Sequence, residues 1–297
     1  MMQSGRVITA FGRHFTVKLQ DGTTRHSYAK GKKTGICVGD YVHVELIGQD
    51  EARIVDILER KNLLYRSDEM RSKQFAANVD ILFIVVAVEP NFSEDLLGRA
   101  LVGAWSAQIK PIIILNKIDL SSNYQAAKDR LKTYLDLGIE LIEVSTLNPL
   151  DLKEKLLPIL QDHTSLLLGQ SAMGKSSILN VLVPAAQAHT QEYSVALGTG
   201  KHTTTTTTLY ELPEINANLI DSPGFQSFGL KHLQLNEVIA GFPEFTPYLD
   251  QCRFYNCQHL HEPGCGVLKA LAEHKIAAER HALYERILLE CTAPERY

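Results

Sequence analysis

The pattern of apolar and polar positions changes twice along the 297-residue chain. Up to about residue 65, short β-rich segments alternate apolar and polar residues, and one of them places Val42, Val44 and Leu46 on a single face. An Asp21-Gly22 pair signals a hairpin turn. Roughly five short strands without a helix predict a small β-barrel. An OB-like barrel is favoured, and an SH3-like barrel is the alternative.

A second pattern begins near residue 66. The near-continuous apolar runs 79–88 and 111–115 are typical of strands buried on both faces of a parallel sheet. Further strands are predicted at 139–144 and 165–168, with helices near 93–108, 122–136 and 150–160. Strands that alternate with helices indicate an α/β domain with right-handed crossovers. After about residue 232, a loop rich in aromatic residues and cysteine runs to 265, and a helical tail is predicted at about 266–290.

Composition narrows the class of protein. The chain is 45% hydrophobic and 22% charged, an ordinary globular composition, and its longest aliphatic run is far shorter than the ~20 residues that span a bilayer. The N-terminus leads into no apolar segment of the signal-peptide kind, so a cytoplasmic protein is expected. A net charge of −4 argues against a protein whose whole surface is basic. Residues 1–35, however, carry seven Lys and Arg residues and one Asp. This local surface is a candidate phosphate contact, and the alternative is a solvated face.

A glycine-rich segment, Gly169-Gln170-Ser171-Ala172-Met173-Gly174-Lys175-Ser176, fits the pattern G-x-x-x-x-G-K-[ST] in full. It follows a predicted strand and opens a predicted helix at Ser177, which is the context a phosphate-binding loop requires. The two glycines let backbone N–H groups point at phosphates, and the helix N-terminus adds positive potential. We therefore predict that residues 169–177 bind a nucleotide, with Lys175 on the β- and γ-phosphates and the Ser176 hydroxyl on Mg²⁺.

Asn116-Lys117-Ile118-Asp119 stands at the end of a buried strand, where ligands bind in open α/β folds. N-K-x-D is the guanine-specificity motif of GTPases. Asp119 can accept from N1–H and the exocyclic amine of guanine, and burying it against adenine would cost ~1–3 kcal/mol or more. Asn116 is expected to bond the far edge of the base, the Lys117 stem to cover its face, and Ser145 to add a second contact. The alternative is a strand-end turn with a charged tip.

Candidate γ-phosphate sensors follow the phosphate loop. Asp221-Ser222-Pro223-Gly224 fits D-x-x-G after a predicted strand, where a Walker-B-type Asp holds Mg²⁺. The pattern itself is common, so its position is what makes Asp221 and Gly224 nucleotide-binding candidates. Within the tract Thr203–Thr208, Thr204 or its neighbour Thr203 is predicted to complete the Mg²⁺ shell.

The residue that activates water is harder to assign. Phe225 stands where many GTPases place a water-orienting glutamine, and an apolar side chain cannot hydrogen-bond water. Slow intrinsic turnover is therefore expected, with help from another residue or a partner. His202 is the predicted catalytic residue because an imidazole can position or activate water. Gln226 is the competitor, and a loop histidine without catalytic duty is the alternative.

Three of the five cysteines cluster near the C-terminus. Cys252, Cys257 and Cys265, with either His259 or His261, supply the four ligands of a closed tetrahedral Zn²⁺ site. In a reducing compartment such a cluster indicates metal binding before disulfides. The residues alone leave the two histidines open, and buried free cysteines are the alternative. The two remaining cysteines are isolated and predicted to be inert.

The motifs occur in an unusual order, because Asn116 precedes Gly169 whereas ordinary GTPases place the phosphate loop first. The strands can pack identically if the original termini are joined and the chain is cut elsewhere. The cut then falls just after Gly224, so the second switch region runs directly into the cysteine segment. We hypothesise that movement of this switch is transmitted to the C-terminal module.

With this motif order the chain resembles, over nearly its whole length, the circularly permuted, ribosome-small-subunit-dependent GTPases of the RsgA (YjeQ) family. The most specific likenesses are Gly200-Lys201-His202-Thr203-Thr204-Thr205, the segment Asp221 to Phe225, and the cysteine cluster. The family's usual Gly-Arg-His-Thr is Gly-Lys-His-Thr here, which leaves His202 in place. The resemblance implies a multidomain α/β chain, with an OB-like β-barrel at 1–66, a circularly permuted P-loop GTPase domain at 67–232 and a zinc-binding helical module at 233–297.

The resemblance further implies a GTP phosphohydrolase that uses GTP/GDP, Mg²⁺ and one structural Zn²⁺, is stimulated by the small (30S) ribosomal subunit and acts in its late maturation. It implies His202 as the catalytic residue and favours His259 over His261 as the zinc ligand. The expected partners are the small subunit and its rRNA, with assembly factors as a further class, no membrane, and a monomeric chain. Residues 1–35 with Arg66, Arg71 and Lys73 would contact rRNA.

Two other readings compete with this enzyme. One is a GTP-switched binding module with negligible turnover, which predicts no stimulation by small subunits. The other is an ATP-dependent P-loop protein in which the Asn116–Asp119 motif is accidental. Competition between GDP and ADP for the site separates the last reading from the first two.

Overall fold

A computed structural model describes residues 2–31, 35–67, 72–184, 186, 206–222 and 228–292. Its N-terminal part is a five-stranded barrel, as the alternating pattern predicts. The strands are β1 (Met2–Phe11), β2 (His14–Leu19), β3 (Thr24–Ala29), β4 (Tyr41–Ile47) and β5 (Glu51–Ile57). The barrel closes because β1 pairs with both β2 and β4, β4 pairs with β5, and β3 runs parallel to β5. The inward-facing apolar side chains form a separate small core.

A hairpin of β6 (Leu63–Ser67) and β7 (Ser72–Ala77) follows the barrel, and the sequence pattern did not predict it. The domain boundary proposed at residue 66 falls inside β6. Arg60 fixes the hairpin to the barrel: its guanidinium donates to both oxygens of the fully buried Asp40 carboxylate, at 2.6 and 2.7 Å, and to Gln74 Oε1 at 3.1 Å. A bidentate contact of this kind holds the two parts in one orientation.

The predicted α/β domain is confirmed as a mixed sheet with flanking helices. Its strands are β8 (Ile81–Ala87), β9 (Lys110–Asn116), β10 (Glu140–Glu143), β11 (Thr164–Leu168), β12 (Thr207–Leu212) and β13 (Ala217–Asp221). Five run parallel in the order β10-β9-β8-β11-β13, and β12 is antiparallel beside β13. All seven residues of β8 are buried, as expected of a central strand with helices on both faces.

Four helices of this domain connect or follow the parallel strands: α1 (Glu94–Ser106), α2 (Ser121–Leu135), α3 (Pro149–Leu160) and α4 (Lys175–Leu182). Ser93 caps α1, since its hydroxyl accepts from the backbone N–H of Leu96, and Asn148 caps α3 in the same way. These crossovers place the carboxyl ends of the parallel strands at one edge of the sheet.

The C-terminal part differs from its prediction in two places. The segment expected to be a loop up to residue 265 contains short helices, and the expected single tail at 266–290 is two helices. The helices are α5 (Leu235–Ala240), α6 (Thr246–Leu249), α7 (Gly266–Ala272) and α8 (Ala278–Thr292). The tail breaks because His274 adopts a left-handed conformation, with φ 57°, and the Lys275 N–H turns back to the Ala270 carbonyl at 2.9 Å.

The barrel and the α/β domain share one continuous sheet, because β1 of the barrel pairs with β12. The C-terminal helices α5 and α8 pack near α1 on one face of the α/β domain. Among the residues that the structure describes, none of the helices combines the length and apolarity needed to cross a bilayer.

Candidate functional site

The predicted nucleotide-binding motifs meet at the carboxyl edge of the parallel strands. Asn116 at the end of β9 lies opposite Ala87 at the end of β8, and Leu167 of β11 lies opposite Asp221 of β13. The phosphate loop follows β11, which lies between β8 and β13 in the sheet. The tertiary fold therefore brings together three motifs that are separated along the chain.

The phosphate loop has the backbone conformation that its glycines predict. Gly174 has φ 94° and is the N-cap of α4, so the first N–H groups of that helix face the strand edge. A Cβ on Gly174 would lie 2.1 Å from the Asn116 amide nitrogen, and one on Gly169 would lie 2.4 Å from the Val85 carbonyl oxygen. Both glycines are needed for space as well as for backbone freedom. Met173 is buried and anchors the loop from below.

Lys175 is a buried cation held by the loop itself. Its Nζ donates to the carbonyl oxygens of Gly169 and Gln170, at 2.7 and 2.9 Å, and the residue is only 8% exposed. Burial lowers the pKa of Lys175, and the nearby Asp221 carboxylate opposes this effect. Within the described part of the chain the ammonium has no ion-pair partner. A buried ammonium bound only by carbonyl groups fits a site that receives an anion such as a phosphate.

Asp221 is a buried acidic group close to the buried Lys175. Burial raises the pKa of this carboxyl to about 6, although Lys175 and the backbone N–H of Ser222 both favour its charged form. The adjacent Ser222 hydroxyl donates to the Leu167 carbonyl at 2.8 Å and so fastens the end of β13 to the strand that carries the phosphate loop. A buried carboxylate at this edge fits a hard divalent cation, for which oxygen ligands are preferred.

The base-reading segment contacts the phosphate loop directly. Asn116 is fully buried, and its amide nitrogen donates to the Met173 carbonyl at 3.0 Å. Lys117, with φ 63°, sends its Nζ to the Ala172 carbonyl at 2.8 Å and, at the same distance, to that of Glu89. The two motifs are thus parts of one surface, so a single ligand can contact both.

Asp119 and Ser145 lie side by side at this surface. The Ser145 hydroxyl donates to the Asp119 carboxylate, and the Leu147 N–H donates to the same hydroxyl at 3.2 Å. Ser145 is buried whereas Asp119 is exposed, so a ligand can reach the carboxylate while its orientation is fixed from behind. This arrangement can accept paired hydrogen bonds from a planar base.

A second candidate centre lies in the C-terminal part, where Cys252, Cys257, His259 and Cys265 bring their ligand atoms within 4.8 Å of one another. The Cys252 sulfur lies 3.9 Å from that of Cys265 and 3.6 Å from His259 Nδ1, which is 3.3 Å from the Cys265 sulfur. Tetrahedral Zn²⁺ with bonds of about 2.0–2.3 Å requires such separations of about 3.5–3.8 Å. The donor set and its spacing therefore fit one zinc ion.

Surrounding groups orient these ligands. His259 has φ 59°, and its carbonyl accepts from the His281 ring nitrogen, 2.8 Å away, when that nitrogen is protonated. Tyr284 donates to the Gln258 carbonyl at 2.7 Å, which holds the same turn from α8. Burial raises the pKa of the Cys257 thiol to about 12, so a bound cation is what would favour its thiolate.

Comparison with known proteins identifies the family. The RsgA GTPase family matches residues 57–231. A Bordetella pertussis protein named small ribosomal subunit biogenesis GTPase RsgA is 58% identical over 293 residues, covering 99% of this chain and 98% of that protein. The chain belongs to the RsgA GTPase family. A Burkholderia pseudomallei relative of the same name is 52% identical and covers 97% of this chain and 92% of its own length.

Solved structures agree with the RsgA assignment. YjeQ from Thermotoga maritima superposes with a TM-score of 0.72 at 26% identity, covering 99% of this chain and all of its own. A structure titled YloQ, a circularly permuted GTPase, gives a TM-score of 0.69 at 26% identity over 100% of this chain and 98% of its own. The predicted permuted GTPase fold is thereby confirmed, and the chain is a GTPase that acts on GTP.

The structure assembles part of the predicted RsgA site. It brings together Asn116, Lys117, Asp119 and Ser145, residues 169–177, and Asp221 at one edge, and it gathers the four predicted metal ligands in the C-terminal part. Of the two candidate histidines, His259 and not His261 belongs to the cluster. His202, Thr203, Thr204, Gly224, Phe225, Gln226 and Arg71 lie outside the described residues, and their roles stay predictions.

Two contacts at the edge escaped the sequence analysis. The Glu89 carbonyl accepts from Lys117, and the Gln170 side chain accepts from the Ser93 N–H at 2.6 Å, so the segment after β8 supports both motifs. Glu89 follows the apolar run 79–88 directly. The rule that ligand-binding groups follow strand ends could have singled it out.

Proposed function

We propose that this RsgA family member hydrolyses GTP to GDP and phosphate under stimulation by the small ribosomal subunit and thereby serves late maturation of that subunit. The observation that carries the proposal is the pair of contacts from Asn116 and Lys117 to the carbonyls of Met173 and Ala172. They join the base-reading and phosphate-binding motifs into one surface. The relatives' names supply the small-subunit context.

In this proposal Asp119, held by Ser145, reads guanine, while the backbone of residues 169–177 and Lys175 bind the phosphates. When bound, Mg²⁺ would neutralise negative charge on the β- and γ-phosphates. Ser176 and Thr204 are its proposed protein ligands, with Asp221 nearby as a further oxygen group. Guanine selectivity follows because Asp119 offers only acceptors to the base edge.

The proposed water-activating residue is His202. Phe225 cannot hydrogen-bond a water molecule, so turnover of the isolated protein is expected to be slow. A partner that fixes the histidine beside the γ-phosphate would raise the rate. This accounts for stimulation by the subunit without requiring a new catalytic group.

The cysteine cluster is proposed to hold one structural Zn²⁺ through Cys252, Cys257, His259 and Cys265. All four positions would be filled by protein atoms, which leaves none for substrate. Between the first two ligands, Phe254 and Tyr255 are exposed, Tyr255 completely, and the Arg253 guanidinium lies 5.5 Å from the Phe254 ring. Exposed aromatic rings beside a cation support contact with RNA bases.

The basic residues of 1–35, with Arg66, Arg71 and Lys73, are the proposed rRNA contacts of the barrel side. Because phosphate contacts release counterions, binding through them should weaken steeply with salt. Such a factor would act as a monomer in the cytoplasm, where small subunits mature, with assembly factors as a further class of partner.

A GTPase assay tests the proposal. GTP turnover is measured with and without 30S subunits for the wild type, His202→Ala and the matched control His163→Ala, an exposed histidine immediately before β11. We expect strong stimulation of the wild type and the control, and its loss in His202→Ala. Absence of stimulation in the wild type would favour a GTP-switched binding module instead.

Nucleotide competition tests the base-reading part separately. We expect GDP to displace a fluorescent GDP analogue and ADP to compete at least about 100-fold more weakly, since Asp119 gains no partner from adenine. Equal competition by the two nucleotides would support the ATP-dependent reading and contradict the proposed role of Asp119.

A further inference from the structure

Strand β1 of the barrel divides one of its edges between two partner strands of the same sheet. Its first half pairs with β4 inside the barrel, with Met2 opposite Glu45 and Arg6 opposite Tyr41. Its second half pairs with β12, with Thr9 opposite Thr208. A register irregularity between Val7 and Thr9 marks the point where the strand leaves one partner for the other. Bulges of this kind redirect a strand and are built into folds rather than accidental.

Side chains strengthen this junction. Lys18 on β2 forms an ion pair with Glu211 on β12. From β1, the Arg6 guanidinium donates to the Thr164 hydroxyl at 2.9 Å, at the start of β11, and stacks 5.0 Å from the Tyr41 ring. The barrel therefore contacts two different strands of the GTPase sheet.

The junction lies next to the proposed Mg²⁺ ligands. Thr208 is paired with Thr9 on one side and with Asp221 on the other, so a single residue separates the barrel from the buried carboxylate. By chain connectivity, β12 begins at Thr207, three residues after Thr204. Whatever holds β12 in place also holds the neighbour of Asp221 in the sheet.

We infer that strand β1 of the barrel is a positioning element of the GTPase site: by pairing with β12 it holds the strand that lies beside Asp221, so that a partner bound to the barrel acts on GTP hydrolysis through this pairing. The inference rests on the proposed function, because it assigns a route by which the small subunit would stimulate turnover. Thr9, Ala10 and Lys18 are positioning residues, since they act through β12 and do not contact nucleotide.

This arrangement predicts a split between two nucleotides. GDP would be bound by the phosphate loop and the base-reading segment, which follow β11 and β9, whereas the γ-phosphate and Mg²⁺ would also depend on Asp221, which pairs with β12. Weakening the β1–β12 junction should therefore impair GTP hydrolysis and its Mg²⁺ dependence while GDP affinity stays unchanged. A general loss of folding would lower both.

The first test uses charge reversal. Lys18→Glu places two carboxylates together at the junction, and Lys18→Glu with Glu211→Lys restores the pair in reverse. Lys110→Glu is the matched control, because Lys110 and Glu140 form a comparable exposed ion pair between neighbouring strands at the far edge of the same sheet, 2.9 Å apart. We expect subunit-stimulated hydrolysis to fall about threefold in Lys18→Glu, to return in the double variant, and to stay unchanged in the control.

The second test breaks the backbone pairing. Proline lacks an N–H, so Ala10→Pro should weaken the ladder, raise hydrogen exchange of the amides of residues 207–212 and lower GTP hydrolysis at least about tenfold. GDP affinity should remain within about twofold of the wild type, with the Mg²⁺ concentration for half-maximal hydrolysis raised. If Ala10→Pro does not fold, the charge-reversal series still decides.

Three outcomes would overturn the inference. The first is equal effects of Lys18→Glu and Lys110→Glu, and the second is faster exchange of β12 with hydrolysis unchanged. The third is no recovery in the double variant, as expected if Lys18 acts only as one of the proposed rRNA contacts. Failure of the proposed function has a different signature. It would appear in the wild type, as absent hydrolysis or absent stimulation by subunits, whereas the exchange measurement needs no turnover.

Discussion

The nucleotide edge and the cysteine cluster are assembled in opposite ways. The nucleotide edge is the edge of the sheet that carries Asn116, Asp119, residues 169–177 and Asp221. The four proposed metal ligands lie between residues 252 and 265 and meet through one compact turn with help from α8. The nucleotide edge draws on residues from Asn116 to Asp221, carried by the ends of different strands of one sheet. A short segment with the right spacing defines the first site, whereas the second exists only when the sheet is complete.

The two sites also differ in what they contribute to stability. Buried thiols and an imidazole gain a partner when a cation binds, so the C-terminal part is expected to depend on its metal for folding. The nucleotide edge keeps a buried Lys175 and a buried Asp221 at the expense of their solvation. We propose that these two groups serve ligand binding, and we expect the folded protein to lose little stability without them.

Removing the metal should produce the largest effect. Cys257→Ser, or treatment with a strong chelator, should destabilise the C-terminal part by about 5 kcal/mol or more, because structural zinc supplies folding free energy. Thermal unfolding and zinc content report this. Cys291→Ser is the control, since its sulfur lies outside the cluster and donates to the Leu230 carbonyl at 3.1 Å, a bond that serine can keep. Unchanged unfolding after complete metal loss would contradict a structural role.

Lys175→Ala should act on catalysis instead. GTP turnover is expected to fall about 100-fold or more, because the variant lacks the ammonium that would neutralise charge on the β- and γ-phosphates. The melting temperature should stay the same or rise, since the variant no longer buries a cation. Lys155→Ala is the control, an exposed lysine on α3 that pairs with Asp151 at 2.8 Å. A marked loss of stability in Lys175→Ala would show instead that the lysine supports the fold.

Asp119→Asn should change base preference. Replacing one acceptor oxygen with a donor amide is expected to weaken GDP binding by about 10- to 100-fold, the range given by ~1–3 kcal/mol for an unpaired polar group. Xanthosine diphosphate, which carries a carbonyl where guanine carries its amine, should lose less or gain. Equilibrium competition measures both, with Asp129→Asn on the exposed side of α2 as control. An equal loss for both nucleotides would argue against direct base reading.

The smallest expected effect is a pH dependence of stability. Burial raises the pKa of Asp221 to about 6 in the folded chain, above the ordinary carboxyl value of 3.8. The unfolded chain therefore loses this proton first, so the contribution of Asp221 to stability is present below pH 4 and is lost as pH rises to about 6. Asp221→Asn should thus stabilise the nucleotide-free protein at pH 7 by about 1–3 kcal/mol.

The gain from Asp221→Asn should shrink to about 0.5 kcal/mol at pH 4, where the folded carboxyl is protonated and the unfolded one is about half protonated. Thermal unfolding without nucleotide or Mg²⁺ at the two pH values measures this difference. A gain of equal size at both pH values would assign the effect to packing rather than to charge.

The sequence by itself determined the local chemistry. The spacing of Gly169, Gly174 and Lys175 specifies a phosphate loop because only certain backbone conformations direct N–H groups inward. The apolar run of β8 specifies a central strand because both of its faces are buried. The order of the motifs indicated the permuted fold, and the comparisons confirmed it.

Only the tertiary structure decided how these pieces meet. The hairpin β6–β7, the break of the C-terminal tail at His274, the contact of Asn116 with Met173 and the pairing of β1 with β12 join residues far apart or depend on one turn. Periodicity reports which face of an element is buried, but it does not report which neighbour covers that face. The division of β1 between β4 and β12 is of this kind, since it depends on which strand edge remains unpaired after the barrel closes.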